Sequence, residues 1–146
     1  EDLLLSKSRF QEMIKSGEYS GWDDIRMPLA RNFRRRGYKP GAFAKMAIKR
    51  GLSSVDKVIS QQDYFMELDK FNREAIKEHA LKASFEEQDE KSEETLEILT
   101  PDARITFCKS DLNLKKLKDG QIIYFLGFGY CRFNAKENIK FWFAHK

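Results

Sequence analysis

The feature that most constrains this chain is a change of apolar period. Up to about residue 82 the large apolar side chains recur at helical spacing, and after Pro101 they alternate in steps of two. A stripe repeating every three to four residues buries one helix face, and alternation buries one strand face. The predicted class is therefore α+β: a helical region followed by a small antiparallel sheet or partial barrel.

Local signals divide the helical part. Ser8 and Gln11 read as a capping box ahead of Phe10, Met13 and Ile14, with Gly17 as the stop. The loop Ser6-Lys7-Ser8 then runs into a helix N-terminus, whose free N–H groups and positive dipole end favour a phosphate. Pro28 fits the first turn of a second helix, which carries Leu29 and Phe33 and ends at Gly37. Pro40 opens a third, with Lys45, Lys49 and Arg50 outward and Gly51 as the stop. Ser60 with Asp63 marks a fourth start, and the stripe Tyr64, Leu68, Phe71, Ala75, Ile76 predicts a helix to about residue 82.

The later strands are predicted at 104–108, 122–126, 130–133 and 139–144, with turns at Asp119-Gly120 and 134–138. Gly127 and Gly129 point to a bend or bulge. The expected organisation is a helical region 1–85, an acidic linker 86–97 and a β region 98–146. A solvated helix is the competing reading of the acidic stretch.

Charge follows the same divisions. Residues 1–85 carry 17 Lys/Arg against 12 Asp/Glu, residues 86–97 one against seven, and residues 98–146 nine against four. Between Ile25 and Val55 there are nine Lys/Arg and no acid. Such a face neutralises phosphates without reading sequence. The plainer alternative is a solvated helix face.

Other chemistry is sparse. Cys108 and Cys131 with His79 and His145 lack metal-ligand spacing, so no metal site is expected, and two cysteines make no disulfide framework. They read as reduced, partly buried thiols of a cytoplasmic protein. No run nears the roughly 20 apolar residues that span a membrane, so no membrane partner is expected. The start without Met is expected of a processed chain or a fragment. Asp23-Asp24 beside Arg26 reads as a local ion pair ahead of a paired-carboxylate catalytic site. Trp22 reads as a core anchor ahead of a stacking platform.

Two stretches carry a resemblance. Leu4-Leu5-Ser6-Lys7-Ser8 resembles the Lys-Met-Ser-Lys-Ser loop of class I aminoacyl-tRNA synthetases. Tyr19-Ser20-Gly21-Trp22-Asp23-Asp24-Ile25-Arg26-Met27-Pro28, then Arg34-Arg35-Arg36-Gly37-Tyr38-Lys39-Pro40, resembles the family segment Gly-Trp-Asp-Asp-Pro-Arg-Leu through Arg-Arg-Arg-Gly. This order is that of glutamate– and glutamine–tRNA ligases of archaeal and eukaryotic type. Phe71-Asn72-Arg73-Glu74-Ala75-Ile76 is similar to a stretch of the glutamate enzymes. Asp111 with Leu117-Lys118-Asp119-Gly120-Gln121-Ile122-Ile123 resembles a strand entry of their anticodon-binding barrel.

The resemblance implies the C-terminal portion of a glutamate–tRNA ligase, from the signature loop onward. It gives Lys7 the catalytic role on the ATP phosphates, with Ser6 and Ser8 ordering the loop. It gives tRNA contacts to Arg26, Arg34, Arg35, Arg36, Lys45, Lys49 and Arg50. ATP with Mg is implied for the complete enzyme and none for this segment alone. The implied partners are tRNA and the catalytic N-terminal half. Without that nucleotide-binding fold and its His-x-Gly-His segment, the segment is expected to be inactive alone. Ile25 stands where the family has Pro, and the β region is short for the family's two barrels. A stand-alone tRNA- or RNA-binding paralogue and a glutamine–tRNA ligase segment are the alternatives. A protein-interaction module using the acidic stretch is a third.

Overall fold

The computed structural model describes residues 6–51 and 59–146. Leu4, Leu5 and Val55 lie outside them. Four helices come first: α1 (Lys7–Lys15), α2 (Ala30–Arg36), α3 (Pro40–Arg50) and α4 (Gln61–Ile76). Seven strands follow: β1 (Leu81–Ala83), β2 (Glu86–Gln88), β3 (Leu96–Leu99), β4 (Ile105–Lys109), β5 (Ile122–Phe125), β6 (Gly129–Phe133) and β7 (Phe141–His145). The α+β class therefore stands.

The strands form one sheet in the order β1-β5-β6-β7-β3-β4-β2. It is mixed rather than wholly antiparallel: β1 pairs with β5, and β3 with β7, in parallel. The order leaves β1 and β2 as edges, so no barrel closes among the described residues.

Alternation along the strands builds two cores. Ile122, Tyr124, Tyr130 and Ala144 meet Phe33, Tyr38, Ala42, Met46, Leu68 and Ile76 from the helices. Their neighbours Ile123, Phe125, Cys131, Phe133 and Phe141 form the second core with Ala83, Ile98 and Cys108. Cys108 on β4 and Cys131 on β6 share that core although two strands separate them, so the sheet curls round it. The first core belongs to helices and sheet together.

Several local expectations are corrected. The residues 86–97 contain β2 and the start of β3; Glu86 and Glu87 pair with Lys109 and Cys108 on β4. A solvated edge strand tolerates carboxylates on its open side; Lys109 stands across the ladder from Glu86 and its ammonium bridges Glu94 at 3.1 Å. The last predicted helix stops at Ile76, because Ala80 and Ala83 pack towards the sheet and Leu81–Ala83 pairs with β5. The capping box does not form. Ser6 is the N-cap of α1 without a side-chain cap bond, and its hydroxyl meets that of Ser8 at 3.0 Å. Pro28 lies ahead of α2, whose N-cap is Leu29. Ser60 does cap α4, accepting from the Asp63 N–H at 3.1 Å.

Candidate nucleic-acid interface

The Trp-Asp-Asp segment is a folded loop. Asp24 is buried and its carboxylate accepts from the Ser20 N–H and hydroxyl, the Arg26 N–H and the Arg26 guanidinium, at 2.7 to 3.1 Å. The Arg26 guanidinium, helped by those N–H groups, holds the carboxyl far below the usual carboxylate range. Arg26 also donates to the Glu18 carbonyl at 2.7 Å and lies over the Tyr19 ring. It is a strut of the loop. Asp23 points outward and bridges Arg31 at 3.3 Å and Arg35 at 3.1 Å. The two carboxylates thus part, as a local ion-pair arrangement requires. Trp22 is half-buried and outside both cores; its carbonyl accepts from Arg31 and Asn32.

The three consecutive arginines point in three directions, as a 100° step per residue dictates. Arg36 is buried, and its guanidinium donates to the carbonyls of Phe143 (3.0 Å) and Ala144 (2.7 Å). It ties α2 to β7 and has no free face for RNA. Arg35 stacks over Trp142 and pairs with Asp23 and Glu137. Arg34 is exposed, with no ion pair among the described residues. On α3, Lys49 and Arg50 both bind Glu67, at 2.6 and 2.5 Å, and Lys45 lies 3.7 Å from Glu74. The α3 cations are therefore largely matched by acids of α4, as a solvated face would be.

What remains is a cleft of about 230 Å³ between α2 and the sheet. Arg31, Arg34 and Arg35 line it from the helix, and Arg132, Asn134, Lys136, Asp119 and Glu137 from the sheet and its turns. A wider hollow of about 870 Å³ shares Arg31, Arg34 and Arg132 and runs on to Lys39, Pro40 and Phe43. Five cations face two carboxylates in the narrow part. Arg31, Arg132 and Lys136 were not foreseen as site residues. A signal for Arg132 existed: it shares the helix-facing side of β6 with Tyr130, where alternation expects an apolar residue.

Lys7 stands exposed in the first turn of α1, far in sequence from this cleft. Ser6, Lys7 and Ser8 thus stand together at the N-terminus of α1. No group of three or more His, Cys, Asp or Glu that could hold a metal exists among the described residues.

An α+β fold with a basic cleft between a short helix and a curled sheet defines the class. Comparison supplies the family resemblance. The chain is 37% identical to the glutamate–tRNA ligase of Thermoplasma acidophilum over 83 residues, 57% of this chain and 14% of that protein. It is 42% identical to that of Methanopyrus kandleri over 65 residues, 44% of this chain and 11% of that protein. It is 36% identical to that of Methanocaldococcus jannaschii over 85 residues, 58% and 15% respectively. No family model matches. The chain resembles the C-terminal portion of a class I glutamate–tRNA ligase over about half its own length, and the matched parts make up only 11 to 15% of these three relatives.

Proposed function

We propose that this chain is a segment of a glutamate–tRNA ligase that holds tRNA through the α2 cleft and presents Lys7 to the phosphates of ATP. One observation carries the reading: Arg31 and Arg34 share an open cleft beside α2 in a chain whose relatives are named glutamate–tRNA ligases. Arg34 has no carboxylate partner among the described residues and Arg31 has only the exposed Asp23, and cations that neutralise backbone phosphates release the counterions condensed on the nucleic acid. ATP, with its Mg, belongs to the complete enzyme. Within this chain Lys7 holds negative charge at the end of α1, and Ser6 and Ser8 order the turn around it. On this reading the nucleotide-binding fold carries the adenosine and the amino acid, so the segment alone is expected not to charge tRNA.

The test is binding of unfractionated tRNA across a salt series, beside an Arg31→Gln/Arg34→Gln variant. Binding that weakens steeply with salt and falls in the variant supports the reading. Absence of binding by the wild-type chain at low salt overturns it. A charging assay with ATP, glutamate and tRNA should give no glutamyl-tRNA from this chain alone.

A further inference from the structure

We infer that Arg132 of β6 and Arg34 of α2 form a two-sided clamp for a single RNA backbone phosphate, so that the sheet binds the sugar–phosphate chain. The inference rests on the tRNA-holding reading and adds the residue that completes the site.

The geometry is built rather than incidental. Arg132 pairs in register with Ile122 on one side and Trp142 on the other. Its side chain is only 16% exposed. One arm of the guanidinium donates to the Asn134 side-chain oxygen, and the Asn134 amide donates to the Arg35 carbonyl at 2.8 Å. That relay fixes the guanidinium against the last turn of α2. Gly120 leaves room for it: a Cβ there would lie 2.9 Å from Arg132 Nη2. Gly37 lets the end of α2 close on the same strand, since a Cβ there would sit 2.8 Å from Ile122 Cδ1 and 3.3 Å from Arg132 Cβ.

Donors of the Arg132 guanidinium remain open towards the cleft. Asp119 is 3.9 Å from Arg132 Nη2, beyond hydrogen-bond reach. Among the described residues, the Nε and Nη2 donors of Arg132 have no hydrogen-bond acceptor. Burial disfavours the Arg132 charge and Arg34 and Arg35 add to that, while Asp119 and Glu137 oppose it. A guanidinium held in place, largely desolvated and beside two further arginines can meet a phosphate with two donors at once.

The experiment measures tRNA affinity across a salt series for the wild-type chain, Arg132→Gln, Asp119→Asn and Lys109→Gln. The last is an equal charge change on β4, away from the cleft in strand order. Arg132→Gln should weaken binding about tenfold and flatten the slope of log affinity against log salt by about 0.7 to 0.9, one phosphate's worth. Asp119→Asn keeps the side-chain oxygen that accepts from the Ala135 N–H and removes the competing charge, so it should tighten binding. Lys109→Gln should change the affinity less than Arg132→Gln does. If the wild-type chain binds while Arg132→Gln and Asp119→Asn leave affinity and slope unchanged, the clamp is wrong and the tRNA-holding reading survives. If the wild-type chain fails to bind tRNA, both fall. The opposite sign at Asp119 keeps the test decisive should Arg132→Gln lose its fold.

Discussion

Arg34, Arg35 and Arg36 are neighbours in sequence with separate duties. Arg34 faces the cleft, Arg35 stacks on Trp142, and Arg36 crosslinks α2 to β7. Removing Arg36 takes a donor from the carbonyls of Phe143 and Ala144, the latter left with the Tyr38 hydroxyl at 3.2 Å, and takes a partner from that hydroxyl, which also donates to Asp69. Arg36→Met should therefore cost about 2–3 kcal/mol, whereas Arg34→Met should leave stability nearly unchanged and affect RNA binding. Urea melts of the two variants check this; equal losses would mean that the guanidinium roles are misassigned. The cysteines make a second residue-scale case. Burial pushes the Cys108 thiol up to about 11 and Cys131 well above its ordinary range. Both should resist a thiol reagent at pH 8 in the folded protein and react promptly in denaturant. Fast labelling of either native thiol would contradict the placement of the second core.

At the scale of elements, α2 and α4 are held to the sheet by polar latches. Buried Asn72 of α4 accepts from the Lys39 N–H at 2.8 Å and bonds His145 Nε2 at 3.0 Å. Burial holds the His145 imidazole below its ordinary pKa, opposed by the Lys146 carbonyl and Asp69 and reinforced by Arg73 and Arg36. A depressed folded pKa means that the unfolded chain takes up the proton first. Stability is then full above the unfolded pKa, about 6.5, and declines as pH falls from there towards the folded value. Melting temperatures from pH 7.5 to 5 should fall, and His145→Gln should flatten that fall. Gly37→Ala is the geometric counterpart, with φ at +103 and Ile122 in the way, and should cost at least about 1 kcal/mol. Much of this level was legible in the sequence. Period-two alternation located β4, β5, β6 and β7 to within two residues at their ends, because β5, β6 and β7 separate the two cores and β4 turns Cys108 into the second. Gly37, Pro40 and Ser60 marked helix ends through backbone chemistry alone. The acidic strand β2 was not legible, since its pairing with β4 is supplied by distant backbone and not by its own composition. The cleft was half legible: a run of arginines announces charge, but only the fold shows that Arg36 turns inward and Arg132 joins from about a hundred residues away.

For the whole molecule, the shared core decides how the parts behave. A helical region ending near residue 85 and a separate sheet were expected to be neighbouring modules. Instead Phe33, Ala42, Leu68 and Ile76 are covered by Ile122, Tyr130 and Ala144. Stripped of the sheet, the helices would expose those faces and lose the acceptors of Arg36; short helices of 7 to 16 residues are marginal without packing. The full chain should therefore unfold as one unit, with far-UV and near-UV circular dichroism tracing the same urea transition. A truncated chain of residues 1–80 should show weak helicity and no cooperative melt. A well-folded 1–80 fragment would mean that the helices carry their own core. The basic cleft would then be a meeting of two independent modules. In the shared-core molecule it cannot form until both halves have folded, because Arg34 and Arg132 come from opposite sides of the same interface.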